Sequence, residues 1–430
     1  MLFLHISDIH FRYTEAGEPD DPNAALRNDM IADVRRQRGR IGAVDWILIS
    51  GDIAHGGLSE EYDFARKWLD EELCPAAGCP IENVFVIPGN HDVNWKAQAG
   101  PAQIGARELL RSKAANQINN ELRAWMRDKA SSDVIFGPID NYNRFAATYL
   151  CSMGPYREGD VPLASRPFAQ RDLSMSDGST LRLWGFNSVL VSNVNDGPNT
   201  MLVDPAASQM LAADGVTDVV LCHHPFSWIR NRQAFEDRIN KLGKVQLFGH
   251  EHTLRVEEAR RYVRIRAGAL QPARDDPEWK PGYNWIALDV LTNGEKRDLD
   301  VRVWARQYEV SQYIALPNPE GDEVWHHTVP LPGWTKPKSA SKRASRKSGE
   351  DSPPSEESRM PSPDVRSITF KMFRLNEHEQ RRLVVDLRLD EDVDKDLRDY
   401  EVAILAVKRA LERGRLDELE AEIDKILSES

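Results

Sequence analysis

Residues 83–92 read NVFVIPGNHD. An apolar, β-branched run ends at a Pro-Gly turn and delivers three metal- or proton-handling side chains, Asn90, His91 and Asp92, in direct succession. A short buried strand followed by a loop that carries chemistry is the simplest reading of that pattern. The same arrangement recurs four times: residues 2–6 lead to Asp8-Ile9-His10, residues 45–50 to Gly51-Asp52, residues 217–222 to His223-His224, and residues 244–248 to Gly249-His250-Glu251-His252. The segments between these runs are long enough for helices, which makes an α/β layered pattern. Ligands of open α/β sheets bind outside the carboxyl ends of the strands, so five distant segments are expected to converge on one crevice.

The rest of the chain bounds what that crevice belongs to. At 430 residues, two or three domains are expected. A hydrophobic fraction of 41% with 29% charged residues is that of a water-soluble globular protein, and no apolar run reaches the ~18 residues of a membrane helix. The opening MLFLHISDIHF lacks the basic flank and cleavage site of a signal peptide and reads as a strand, so a cytoplasmic protein is expected. Cys74, Cys79, Cys151 and Cys222 match neither a zinc knuckle nor a disulfide framework, which leaves reduced thiols. A net charge of -12 disfavours a passive nucleic-acid binder but leaves a nuclease open, because metals supply their own attraction for phosphate.

Closely spaced strand candidates follow residue 254 and suggest a second, largely antiparallel sheet completing the same core, with the catalytic domain spanning 1–315. An insertion at about 95–175 contains a helical stretch near 104–128 with Ile104, Leu109, Ile118, Leu122, Trp125 and Met126 at roughly helical spacing. Packing onto the domain explains that stripe, and a lid or wall over the crevice is the sharper alternative. Residues 333–366 are rich in Ser, Pro, Lys and Glu and read as a disordered linker, after which residues 367–430 form a small helical unit free to move. Asn376 and Glu379 stand at capping-box spacing within it.

In its five motifs the chain resembles the calcineurin-like metallophosphoesterases over roughly residues 1–310. That resemblance implies a four-layer α/β/β/α sandwich and two divalent transition metal ions. By it, Asp8, His10 and His252 would hold one metal and Asn90, His223 and His250 the other, with Asp52 bridging. Mixed imidazole and carboxylate donors suit manganese, iron, zinc, nickel or cobalt better than magnesium or calcium, and of these manganese is the one expected. His91 takes the superfamily's catalytic position, stabilising the transition state or protonating the leaving oxygen, and Asp52 shares the catalytic centre. Asp92 is expected to brace the loop by hydrogen bonds. Where the superfamily's protein phosphatases carry an Asp-Arg pair, this chain reads GDIAHGG, with His55 and Gly56 in those places. Phosphoprotein dephosphorylation is thereby disfavoured against phosphodiester hydrolysis, and His55 becomes a candidate substrate contact. His5, His224 and Cys222 read as structural, and His326 and His327 receive no role.

The C-terminal pattern of apolar and charged positions is similar to the death-fold-like effector-associated domains of bacterial conflict systems. The implied enzyme is a nuclease or nucleotide-degrading effector in defence, acting on nucleic acid or nucleotide. It would meet a protein partner or a second copy through residues 367–430 and would not engage a membrane. A cyclic-nucleotide phosphodiesterase in signalling and a non-enzymatic scaffold are the alternatives.

Overall fold

The computed structural model describes residues 1–16, 21–97, 100–155, 166–205, 210–271, 279–294, 296–335 and 363–429. Two mixed sheets dominate it. The first contains β1 (Leu2–Ile6), β2 (Trp46–Ile49) and β3 (Val84–Val86), all parallel, extended on the other side of β1 by antiparallel strands from late in the chain. All residues of β2 and β3 are buried, as expected for strands covered on both faces. The second sheet has the order β4-β5-β6-β7-β9-β8, with β4 (Phe168–Ser174), β5 (Thr180–Phe186), β6 (Val216–Cys222), β7 (Gly243–Phe248), β8 (Arg255–Ala259) and β9 (Tyr262–Arg266).

Side-chain alternation shows how the layers stack. On β5, β6 and β7, Leu181, Leu183, Val219, Leu221, Val245 and Leu247 share one apolar cluster with Phe85 and Val86 of the first sheet. The intervening Val220 and Cys222, with Phe186 and Phe248, join a separate cluster. Phe235 and Ile239 of a helix at Arg232–Leu242 complete that second cluster. The second sheet therefore lies between the first sheet and a helix, and period-2 alternation in its strands serves both contacts. On the far side of the first sheet, α1 (Ala24–Ile41), α2 (Ser59–Trp68) and α3 (Cys74–Ala77) complete the four layers. Asp33 of α1 takes a bidentate pair of bonds, 2.8 and 2.9 Å, from Arg306 of the first sheet and fixes the helix there.

Several expectations need correction. The strands after residue 254 do not make a sheet of their own. β8 and β9 extend the second sheet beside β7, whereas β10 (Gly282–Asn293), β11 (Lys296–Glu309), β12 (Gln312–Ala315) and β13 (Trp325–Leu331) extend the first. Because β13 pairs with β11, the sheet runs past residue 315. His326 and His327 sit on β13, where Nε2 of His326 contacts Asp300 and Nε2 of His327 donates to the Ala259 carbonyl. The stretch from 95 to 175 is helical only in part: α4 (Pro101–Ser112), α5 (Ala115–Arg127), α6 (Lys129–Phe136) and α7 (Asp140–Ala147) give way to β4. The expected helix over 104–128 is broken at Lys113 and Ala114, both extended, and of its stripe Ile104 and Leu109 remain exposed.

The helix at Arg232–Leu242 is α8. The expected linker falls largely on residues 336–362, outside those described. Beyond it α9 (Pro363–Met372), α10 (Glu377–Asp386), α11 (Asp399–Glu412) and α12 (Leu416–Glu429) surround a small core of their own, built from Ile368, Met372, Leu383, Ile404, Leu419 and Ile423. Asn376 caps α10 as its spacing suggested: its side chain accepts from Glu379 N at 3.0 Å, and Glu379 accepts from Asn376 N at 2.9 Å. Rather than standing free, this helical unit packs on α7. Ala147 lies within its apolar cluster, Arg398 pairs with Asp140, and Arg144 pairs with Glu377.

Candidate metal centre

The five motifs meet where the carboxyl ends of β1, β2 and β3 face those of β6 and β7, so the crevice draws on both sheets. Its backbone is unusual. Asp8, His10, Asp52, His250 and His252 all have positive φ, between 52° and 70°. Left-handed backbone at non-glycine residues costs about 1–3 kcal/mol each and persists where the surroundings over-determine it. Here they do. The amides of Ile9 and His10 both donate to the Asp52 carbonyl, at 2.8 and 3.0 Å, and Asp8 N donates to the Gly51 carbonyl at 3.0 Å. His250 N reaches Asp8 Oδ2 at 3.1 Å and His91 N reaches Asp52 Oδ1 at 2.7 Å. The glycines of GNHD and GHEH make this crowding possible: a Cβ on Gly89 would collide with Asp52 Oδ1, and one on Gly249 with Ser7 Oγ and His223 Nδ1.

Side-chain donors gather in two adjoining groups. Around Asp52 Oδ2 stand His10 Nε2 at 3.1 Å and His223 Nε2 at 3.3 Å. Around Asn90 Oδ1 stand His223 Nε2 at 3.1 Å and His250 Nδ1 at 3.0 Å. Asp8, His10 and His252 offer ligand atoms within 4.8 Å of one another, as do Asp8, Asp52 and His223. The second ring nitrogens of two histidines are committed elsewhere: His10 Nδ1 donates to the Gln271 carbonyl at 2.7 Å and His223 Nδ1 to the Ser50 carbonyl at 2.8 Å. In their neutral forms both rings then turn a lone pair at Nε2 towards carboxylate oxygens. Lone pairs facing carboxylates, in burial, require either protons or cations between them, and outer hydrogen bonds of this kind are what orient metal-binding imidazoles. Asp8 Oδ1 fits the same account: it is buried, with His252 Nε2 3.5 Å away. The donor set thus suits divalent transition metals.

Electrostatics within the cluster point the same way. Burial alone would push the Asp52 carboxyl up, yet neighbouring His223 and His91 hold it well below the usual carboxylate range. Burial opposes charge on His223, and Asp52 overcomes it and lifts the ring to about 9. His91 is lowered by burial against the pull of Asp52.

His91 belongs to the same group, its ring centroid 4.6 Å from that of His10. Its Nδ1 donates to the His55 carbonyl at 2.9 Å. His55 adjoins His91 with rings 5.0 Å apart. Asp92 faces away from this cluster and accepts from Gly89 N at 2.8 Å, Ile53 N at 3.1 Å and Ala54 N at 2.9 Å. His5 is buried in β1 against Ser50 Oγ. His224, read from sequence as structural, holds Ser188 Oγ at 2.9 Å but also stands with His223 and His250 in a three-histidine group. Sequence reading gave no sign of the Gln271 and Ser50 carbonyls, since main-chain acceptors carry no residue signature.

Comparison with known proteins agrees with this geometry. The family profile described as calcineurin-like phosphoesterase matches residues 1–254, and the profile of the GTPase-associated adaptor domain matches residues 364–425. The C-terminal helical unit is thus an adaptor domain of the GTPase-associated kind. Two curated proteins are similar over short stretches. An uncharacterized metallophosphoesterase-like protein, YydB, of Bacillus subtilis is 30% identical over 92 residues, 21% of this chain and 18% of its own length. The glycerophosphodiester phosphodiesterase GpdQ of Enterobacter lignolyticus is 37% identical over 94 residues, 21% of this chain and 30% of its own. The matches therefore span under a third of either relative. Among solved structures, Vps29 of Cryptosporidium parvum aligns with 77% of this chain and 98% of its own at 13% identity and a TM-score of 0.29. GAP50 of Plasmodium aligns with 78% and 90% at 11% identity and 0.38.

Proposed function

We propose, on the premise that this chain belongs to the calcineurin-like phosphoesterase family, that it is a dinuclear metal-dependent phosphodiesterase. The observation that carries the reading is the pair of adjoining donor groups joined at Asp52, whose Oδ2 lies 3.1 Å from His10 and 3.3 Å from His223. Asp8, His10 and His252 form one ligand set and Asn90, His223 and His250 the other, with Asp52 shared. Bound by these residues, two divalent cations would supply an acidified water and positive charge for the phosphoryl oxygens. His91 serves the leaving group. In its protonated form it keeps Nδ1–H on the His55 carbonyl and presents Nε2–H to the departing oxygen. Asp92 keeps the loops of Asp52 and Asn90 in register.

A diester is favoured over a monoester because GDIAHGG lacks the phosphate-gripping arginine of the phosphatases. The short likeness to a protein named as a glycerophosphodiester phosphodiesterase supports the same choice. The match to an adaptor domain supports recruitment by a protein partner, for which we propose a GTPase; the activity so recruited is, in this reading, that of a nucleic-acid- or nucleotide-degrading effector in bacterial defence. A groove of about 910 Å³ between α10 and α11, lined by Val384, Val385 and Val402 with charges of both signs, among them Asp390, Arg381 and Lys395, suits an amphipathic segment of that partner.

A panel of substrates with manganese tests the enzymatic reading. Hydrolysis of bis(p-nitrophenyl) phosphate and nucleotide diesters is expected, and cleavage of phosphomonoesters alone overturns it. For the partner, material captured on the full chain should bind GTP, and capture that is indifferent to deletion of residues 364–425 counts against recruitment through the adaptor.

A further inference from the structure

Two tryptophans border the candidate metal centre, and neither belongs to its ligand set. The Trp95 ring lies 5.1 Å from that of His91 and 6.4 Å from that of His55. The Trp228 ring lies 4.0 Å from that of His250 and 5.8 Å from that of His224. His91 and His250 belong to different donor groups, one with His10 and Asp52, the other with Asn90 and His223. The indoles therefore stand beside different donor groups, one on a loop of the first sheet and one on a loop of the second. Both are partly exposed, unlike the wholly buried Trp285 of the core.

Each indole is held in place by its surroundings. Trp228 closes a short turn, Phe226–Trp228, and its carbonyl accepts from Met201 N at 2.9 Å. Trp95 forms part of a cavity of about 330 Å³ shared with Arg107, Glu108 and Arg111 of α4 and with Asn193 and Asn195. That volume falls within the ~300–1,000 Å³ of small-molecule sites. Arg111 anchors the opposite wall by donating to the Val191 carbonyl at 2.8 Å and to Asp196 at 2.7 Å. The cavity thus has one aromatic wall, the side-chain amides of Asn193 and Asn195, and two guanidinium groups, with Glu108 beside them and Asp196 bonded to Arg111, in a chain whose overall charge is -12.

We propose that Trp95 and Trp228 are stacking platforms for the bases on either side of the scissile phosphate, which makes the substrate single-stranded nucleic acid. The inference rests on the phosphodiesterase reading and narrows it. A phosphate flanked by glycerol or other alkyl groups has nothing to lay on an indole, whereas every nucleotide has a flat face, and stacking on aromatic side chains is how single strands are gripped without regard to sequence. An acidic chain gains little from long-range attraction, so short-range stacking adds the grip that the metals' attraction for phosphate does not supply.

The test compares kcat/KM on a single-stranded oligonucleotide with kcat/KM on methyl p-nitrophenyl phosphate, in wild type and in Trp95→Leu, Trp95→Phe, Trp228→Leu and Trp228→Phe. Leucine keeps apolar bulk without a ring face; phenylalanine keeps a smaller face. The expected result is a fall of about tenfold or more in the oligonucleotide-to-small-diester ratio for each leucine variant, with most of it restored by phenylalanine. A ratio within about twofold of wild type in both leucine variants overturns the proposal, as does a wild type that cleaves the small diester but no single strand. Should no diester be cleaved at all, the enzymatic reading itself falls. Binding of a labelled phosphorothioate single strand, followed by anisotropy, then still decides the platforms: weakened binding in both leucine variants upholds them and unchanged binding removes them.

Discussion

The hydroxyl of Tyr62 donates to Asp92 Oδ1 across 2.9 Å, deep beneath the loops that carry Asp52 and Asn90. Asp92 in turn accepts from main-chain amides of both loops, at Gly89, Ile53 and Ala54. The Tyr62 ring stacks on Phe145 of α7 at 5.3 Å, and Ala147 of the same helix lies in the apolar cluster of the C-terminal adaptor. A contiguous set of packed groups therefore connects the adaptor to the metal loops.

Tyr62→Phe removes one donor and leaves Asp92 its amides, so a loss of about 1 kcal/mol of stability is expected. Asp92→Ala strands three buried amides and should cost about 3 kcal/mol or more. Urea denaturation of the metal-loaded protein measures both. Equal losses for the two variants contradict the bracing role.

Gly89→Ala forces a methyl group against Asp52 Oδ1. Overpacking of this kind costs about 1–3 kcal/mol, which at a metal ligand amounts to roughly 5- to 150-fold in cation affinity. Elemental analysis after dialysis against a weak chelator should find the variant depleted of metal while its far-ultraviolet circular dichroism remains native.

Metal affinity should rise with pH. In the metal-free protein burial disfavours a charged His223, but Asp52 lifts its ring to about 9, so a cation entering at neutral pH displaces a proton. Because the folded value is raised, His223 stabilises the metal-free form fully below its unfolded value near 6.5 and loses that contribution as pH climbs through about 9. Calorimetric titrations between pH 6.5 and 9 should show proton release and an affinity increasing by up to about tenfold per unit. A flat profile speaks against His223 as a ligand.

Docking of the adaptor on α7 depends in part on Arg398 and Asp140. Arg398→Glu sets two like charges together and should loosen the adaptor, seen as faster amide exchange in α7 and α11. Combining it with Asp140→Arg should recover most of the loss, by roughly 0.5–3 kcal/mol of coupling. An additive double variant excludes the pair as a determinant of docking.

That the five motifs meet in one crevice was legible from residue order, because each motif follows directly on an apolar run and the chain direction of a strand fixes which end its loop occupies. Less legible was the division of those strands between two sheets: alternation reports which face of a strand is apolar, not which strand lies beside it. β4 and β5 went unseen for a related reason. Arg171 sits on the buried face, bonded to the Tyr149 carbonyl, and Asp172 pairs with Arg182 on the other face, so charged residues dilute the apolar signal on both, although the turn at Ser176-Asp177-Gly178 marks a hairpin. Tyr62 carries no local cue at all, since its partner Asp92 is thirty positions away. The Asn376 cap was readable because both of its bonds lie within four residues.

The most direct test of the central claim is metal content and diester hydrolysis measured together on wild type, Asp52→Asn and His91→Ala. Wild type should retain two divalent ions per chain and cleave bis(p-nitrophenyl) phosphate. Asp52→Asn should lose metal and activity together, and His91→Ala should keep its metal while kcat falls by about 10²- to 10⁴-fold. A wild type that binds no transition metal, or an Asp52→Asn variant with undiminished turnover, contradicts the account.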